Sequence, residues 1–483
     1  MENKTKNMNR RRPVGDSSAA IDVERDAPPE RRKPATQANG GFLSMFQYRD
    51  VPPTDLLAIL SVYFVQGSMN LSRIALSVFL KDDLQLPPAQ VSFIEASTFI
   101  PWMIKPLYGF LSDSVPLLGY KRKSYLQVCG LLNSISWLCF AALVNSPAAA
   151  TVAIIGSAVG TACSDVVVDS VVVERSRDQE TSGSLQSLCW MSYALGAIVS
   201  SYFSGHLVEE VGPRGVFKLT AFVPLLTFLF AFILAEEKVS GKGARGGLKA
   251  KGGRKGGAEA QGVLENVKSQ GTKLWAAVKE PAILYPMSFI FLFQATPVPE
   301  SAFFFFKTEK LGFSPDFLGQ VNFVSRLAML AGITGYNSYL KKVPLRTLFK
   351  WVIWAGFAIG STQLVLISGY NKTLGISDEV FAMGDTAVLT VLGQLSFMPL
   401  LVLAAQLCPE GVEATLFATL MSILNAGTFI GTSLGGGLTS LFGVTSDNFD
   451  NMFALVATSL VLSLTPLLLL NMVPSDITSE EDD

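Results

Sequence analysis

Apolar runs recur along this chain, each broken off by a short polar connection. A helix needs about 20 mostly apolar residues to cross a bilayer. Twelve stretches qualify: 55–80, 88–111, 123–145, 149–173, 184–207 and 216–236, then 282–306, 316–340, 345–369, 381–407, 412–441 and 450–473. They form two sets of six. The pattern predicts an all-α membrane protein with twelve transmembrane helices in two six-helix bundles, 51–236 and 282–473. The text outside the bundles is polar. Residues 1–50 mix both charges without apolar clustering until Phe42, and are expected to be a disordered tail. Residues 237–281 form a basic, Gly-rich linker containing GKGARGGLKAKGGRKGGAEAQG. Residues 474–483 make an acidic tail.

The two sets echo one another in order. YFVQGSMN (63–70) has a counterpart in FLFQATPVPE (291–300), and LQLPPAQV (84–91) in LGFSPDFLGQV (311–321). ERSRDQETSGSLQS (174–187) parallels CPEGVEATLFATLMS (408–422). Parallel six-span repeats, pseudo-symmetric about an axis along the membrane normal, characterise one transporter architecture.

Charge then orients the spans. Lysines and arginines gather in 1–50, 121–123, 175–177, 238–279 and 341–350, which are alternate connections. Acids mark the others: Asp82 and Asp83, Glu209 and Glu210, Asp378 and Glu379, Asp447 and Asp450. The positive-inside rule places both termini and the linker in the cytoplasm. Which membrane is crossed, plasma membrane or organelle, is left open.

Composition agrees with the pattern and removes whole classes of function. Only 16% of the residues are charged and the mean hydropathy is +0.39, against about 25% charged in soluble domains. The five cysteines lie in or beside apolar runs without metal-ligand spacing, and His206 is the sole histidine. No nucleophile or metal constellation emerges, so neither an enzyme nor a metal or cofactor is expected. The Gly-rich linker follows no strand and lacks the GxxxxGK[ST] pattern, so it is not read as a nucleotide loop. Nothing points to nucleic acid. The expected surroundings are a lipid bilayer and a small solute.

Charges within the spans carry the candidate chemistry. A charge at mid-bilayer costs a few kcal/mol and must face protein or water. By depth, Lys105, Asp165 and Asp169 lie in the cytoplasmic half, and Arg73, Glu95, Glu300 and Arg326 in the outer half. Asp165 and Asp169 share a helical face with Thr161. They can form a proton-coupling pair, or a fixed ion-pair lattice with Lys105 or Arg122. Asp113 ends its helix, where the dipole disfavours an anion, and Arg122 and Lys123 are near enough in sequence to offset it. Gln66, Asn70, Gln294, Gln394 and Asn425 form an uncharged polar layer near the midplane, where such transporters bind cargo. Pro297 and Pro299 permit a bend in the seventh span. Trp102 and Trp190 can stack on a flat ring or simply pack. The run Phe303–Phe306 is expected on a lipid or packing face.

KPLYGFLSDSVPLLGYKRKSY (105–125) partly matches the loop between spans 2 and 3 of the major facilitator superfamily, through Gly109, Asp113, Gly119 and the basic triplet 121–123. Ser114 to Leu118 are extra. With SDVVVDSVVVERSR (164–177) and PEGVEAT (409–415), the stretch resembles the folate-biopterin transporter family over residues 50–475. The resemblance implies the major facilitator fold and secondary active transport by alternating access. It implies a folate or pterin as cargo, and a cytoplasmic gate latch at Asp113 with Arg122 and Lys123. A folate would offer its ring to the midplane layer and a carboxylate to Arg73, Arg326 or Lys105. The alternatives are a transporter of another organic anion, or a non-transporting receptor or scaffold.

Overall fold

The computed structural model describes residues 51–175, 179–238, 279–340, 343–406 and 413–473. The expected tails and the body of the linker lie outside them. Every regular element described is helical, as a bilayer requires of segments that must satisfy their own backbone. Among the described residues, seven helices are long and apolar enough to cross a membrane, among them Lys123–Ala142, Pro147–Arg175 and the 49-residue Leu185–Ile233.

The described helices are grouped in chain order along the expected spans. These are α1 (53–83), α2 (88–114), α3 (Lys123–Ala142), α4 (Pro147–Arg175), α5 (179–211) and α6 (213–233), followed by α7 (281–310), α8 (Pro315–Leu340), α9 (Leu345–Ser368), α10 (Asp378–Gln406), α11 (Glu413–Leu441) and α12 (Met452–Met472). The merged helix divides at Gly212, whose φ of 69° and ψ of 168° are not helical and which precedes Pro213. Large apolar side chains such as Leu441, Val152, Leu143 and Leu468 point outward. In water such a surface would be a liability; against lipid it is the solvated face.

Packing follows one scheme in both halves. In the first, α1 packs on α5 and α6, α3 on α4 and α6, and α2 on α4. In the second, α7 packs on α11 and α12, α9 on α10 and α12, and α8 on α10. The halves meet along α2 with α11 and α5 with α8. The echo at 84–91 and 311–321 has a structural counterpart. Both α1 and α7 end in a five-residue π turn, Phe79–Asp83 and Phe306–Lys310. Each is followed by a left-handed residue two positions on, Gln85 at φ 50° and Gly312 at φ 71°.

α1 and α7, which meet at the centre, are both broken, as is α2 at Thr98–Phe99 and at Ile104. α1 is interrupted at Met69 and Asn70, and α7 between Gln294 and Glu300, over the stretch with Pro297 and Pro299. Both breaks lean on close backbone approaches. A Cβ at Gly67 would stand 2.0 Å from the Tyr193 carbonyl oxygen, and one at Gly435 2.0 Å from that of Val298. Glycine is what lets α5 and α11 run against the broken spans.

Phe305 and Phe306 are buried and Phe303 and Phe304 face the interior cavity. The phenylalanine run is therefore a packing face and not a lipid face.

Candidate functional site

A cavity of about 860 Å³ lies between the halves, lined by α1 to α5 and α7 to α12. Its first-half wall carries Gln66, Asn70 and Arg73 from α1, Glu95 and Trp102 from α2, Thr161 from α4 and Tyr193 from α5. Glu300, Phe303 and Lys307 of α7, Asn322 of α8, Gln363 of α9 and Thr386 of α10 face them. The volume suits a compact organic molecule.

The wall charges are organised by α1 and α7. Arg73 Nη2 pairs with Glu300 Oε1 at 3.0 Å, joining α1 to α7. Their side chains remain 60% and 64% open although both lie deep in the bundle, because the open side is the cavity itself. Glu95 accepts hydrogen bonds from Ser77 at 2.8 Å and Ser301 at 3.0 Å, tying α2 to both spans. Arg326 donates to Asn70 Oδ1 at 2.5 Å, linking α8 to the break in α1. Lys81 pairs with Glu309 from the π turns, and Glu209 accepts from the Asp316 backbone at 2.9 Å. Among the described residues, these polar ties between the halves run from the midplane to the acidic end.

Several expected residues stand beside the cavity instead of on its wall. Lys105 Nζ reaches Asp165 Oδ2 at 2.5 Å and lies 5.1 Å from the centre of the Trp102 ring. Both members of that pair are largely buried, at 15% and 13%. Asp169 takes a hydrogen bond from Tyr63. Gln294 donates to Thr428, a wall residue, at 3.4 Å, and Asn425 bonds its own helix at the Met421 carbonyl. Gln66 Nε2, Arg326 Nε and Gln394 Oε1 are buried atoms with no hydrogen-bond partner among the described residues. Trp190 is exposed and edges onto Tyr193 at 5.6 Å.

The loop at the basic end of the first half is built around Arg122. Its guanidinium contacts Asp113 at 2.6 Å, Glu174 at 2.7 Å and the Ser112 hydroxyl at 2.7 Å. Burial works against this charge, yet Glu174 and Asp113 hold the guanidinium above its ordinary pKa. Glu236, just past α6, accepts the backbone N–H groups of Lys121, Arg122 and Lys123 at 2.6, 3.1 and 2.8 Å. It is a carboxylate cap on the N-terminus of α3, favoured by the helix dipole. Lys123 itself turns away and donates to the Phe232 carbonyl at 2.7 Å. The expected partnership of Asp113 with two cations is thus a partnership with Arg122 alone, because Lys123 is the first residue of α3 and points along α6.

Sequence reasoning left out Tyr63, Lys307, Asp385, Glu236 and the two serines on Glu95. Tyr63 reads as an apolar ring. Lys307 falls just beyond the predicted end of its span at 306, whereas the π turn carries the helix to Lys310. Asp385, bonded by Thr362, sits near a helix start rich in acids.

Residues 66–483 match the model of the BT1 family. The chain is 42% identical to the folate-biopterin transporter of Synechocystis sp., over 90% of this chain and 86% of that one. It is 29% identical to folate transporter 2 of Plasmodium falciparum, over 91% and 93%. Among solved structures, the nucleoside transporter NupG superposes with a TM-score of 0.63 at 14% identity, covering 86% of this chain and 99% of that one.

Proposed function

The chain belongs to the BT1 family, and from that premise we propose that it is a secondary active transporter moving a folate or pterin-like solute across a membrane by alternating access. The observation that carries the reading is the central cavity. Its aromatic residues (Phe99, Trp102, Trp137, Tyr193) suit a flat ring, and its amides and hydroxyls suit a ring edge rich in nitrogen. Gln66, Asn70, Arg73, Trp102 and Glu300 are the cargo residues on the wall. Arg326, Gln294, Gln394, Asn425 and Lys105 support it from behind.

Residues 51–236 and 282–473 serve as two rocking halves, a reading supported by their shared packing scheme and paired π turns. Both termini face the cytoplasm, so the basic end is the inner one. The ties Arg73–Glu300 and Lys81–Glu309 then close the outer end, and the described state is the inward one. Moving to the outward state breaks them. Asp113 and Arg122 pair within the first half in this inward state, so they hold the loop ready as one side of the inner latch, and Glu236 positions Arg122 through the loop backbone.

The two span-4 aspartates divide the roles that the sequence left open. Asp165 is already neutralised by Lys105 and acts as the structural lock of α2 to α4. Asp169 meets a neutral hydroxyl and is the residue placed to carry a coupled proton. Protein reconstituted in proteoliposomes and offered radiolabelled folate, biopterin and unrelated organic anions side by side tests the reading. Uptake of folate or biopterin above empty liposomes is expected. Uptake confined to the unrelated anions would overturn the cargo assignment.

A further inference from the structure

The described cavity wall carries two cations, Arg73 and Lys307. Arg73 is held by Glu300. Lys307 has no described carboxylate within ion-pair distance, 4.0 Å. The acidic groups whose field reaches it are Asp385 and Glu300, and each already has a partner, Thr362 and Arg73. Its ammonium instead lies 4.6 Å from the centre of the Phe303 ring.

The fold does not need this charge. Lys307 is the second residue of the π turn Phe306–Lys310, and the second residue of the matching turn Phe79–Asp83 is Leu80. The two backbones make the same bond: Leu86 N–H to the Leu80 carbonyl at 3.0 Å, and Phe313 N–H to the Lys307 carbonyl at 3.0 Å. Leu80 is fully buried. Leucine therefore satisfies this turn in one half, while the other half keeps a cation facing the cavity. An unpaired charge at such depth destabilises the protein. An anion arriving with the cargo offsets that cost and gains a charge-assisted hydrogen bond.

We propose that Lys307, backed by Phe303, is the subsite that takes a carboxylate of the cargo. The proposal rests on reading the cavity as the cargo site. The polar wall of the same half, with Gln363 of α9 and Thr386 of α10, offers uncharged donors and acceptors for the remainder of an anionic tail. A carboxylate-free ring system does not require Lys307.

The test is uptake into proteoliposomes by wild type, Lys307→Leu, Lys307→Gln and Lys307→Arg. The probes are folic acid, which carries carboxylates, and biopterin, which carries the ring system without one. Lys307→Leu and Lys307→Gln should lower folate uptake about tenfold or more at subsaturating concentration. They should leave biopterin uptake within about twofold, because a neutral ring makes no use of the charge. Lys307→Arg should keep most folate uptake. Equal loss of both probes, or no loss of either, would overturn the subsite. So would a Lys307→Leu protein that fails to fold, since the matching turn folds around leucine. If wild type moves neither probe, the reading of the cavity fails, and the subsite is then decided by thermal unfolding of the purified protein. Benzoate should then raise the Tm of wild type but not of Lys307→Leu, and benzamide should raise neither. No shift with benzoate would overturn it.

Discussion

Arg73 and Glu300 occupy the same place in the two halves, each six residues ahead of a π turn, and they pair with one another at 3.0 Å. They are 227 residues apart in sequence. A position repeated in α1 and α7 thus carries opposite charges that meet between the halves. A second tie, Lys81 with Glu309, lies further toward the acidic end.

Because each charge faces the cavity with the other as its partner, removing one leaves the other uncompensated. Arg73→Gln or Glu300→Gln should lower uptake at least about tenfold. The exchange Arg73→Glu with Glu300→Arg should recover a substantial part. Initial uptake rates, normalised to protein in the membrane, measure this. An exchange mutant no better than the single mutants counts against the pair.

The loop at the basic end should divide its basic residues sharply. Asp113→Asn and Arg122→Gln should reach the membrane at normal levels and transport about tenfold less. Lys123→Gln loses a bond to the Phe232 carbonyl and a contact with the Tyr120 ring, neither of them to a charged partner, and should stay within about twofold of wild type. Equal effects of Arg122→Gln and Lys123→Gln would remove the latch assignment.

The span-4 aspartates should separate by kind of defect. Asp165→Asn leaves Lys105 buried without its partner and should chiefly lower Tm and yield, by about 3 kcal/mol or more of stability. Lys105→Met in the same chain should restore much of it. Asp169→Asn keeps an acceptor for Tyr63 and should fold. If Asp169 carries the coupled proton, wild-type uptake rises as the pH on the loading side falls, since loading then requires the protonated carboxyl. Asp169→Asn should flatten that profile. Uptake by wild type that is level from acid to neutral pH would end the coupling idea.

Close approach is testable without cargo. A methyl group at Gly67 or Gly435 meets backbone oxygen at 2.0 Å, and backbone cannot swing aside. Gly67→Ala and Gly435→Ala should each cost about 1–3 kcal/mol of stability. Gly437→Ala, with open space around it, should cost less than about 1 kcal/mol. Thermal unfolding in detergent compares them.

The spans were legible in the sequence because hydropathy and backbone satisfaction leave a bilayer segment few choices. Their ends match the helices to within a few residues. The charges Arg73, Glu300, Lys105 and Asp165 were legible for the same reason: each is too costly to stand in a span without a purpose. Their pairings were not. Depth along a helix predicts which charges share a level, but not which side of the helix meets a neighbour. Hence Lys105 could be placed near both aspartates, while the structure gives it Asp165 and gives Asp169 to Tyr63. Lys307 escaped because a π turn extends the helix past its apolar run, and no composition signal marks such a turn.

Alternating access through this cavity is tested most directly by locking its acidic end. Lys81→Cys and Glu309→Cys, in a chain whose five native cysteines are replaced, put a cross-linkable pair where α1 and α7 meet. Proteoliposome uptake of radiolabelled folate and biopterin is then measured before cross-linking, after it, and after reduction. The expected result is uptake by the reduced protein, its loss on cross-linking, and its return with reductant. Uptake of the same size with the ends locked would contradict alternating access through this cavity.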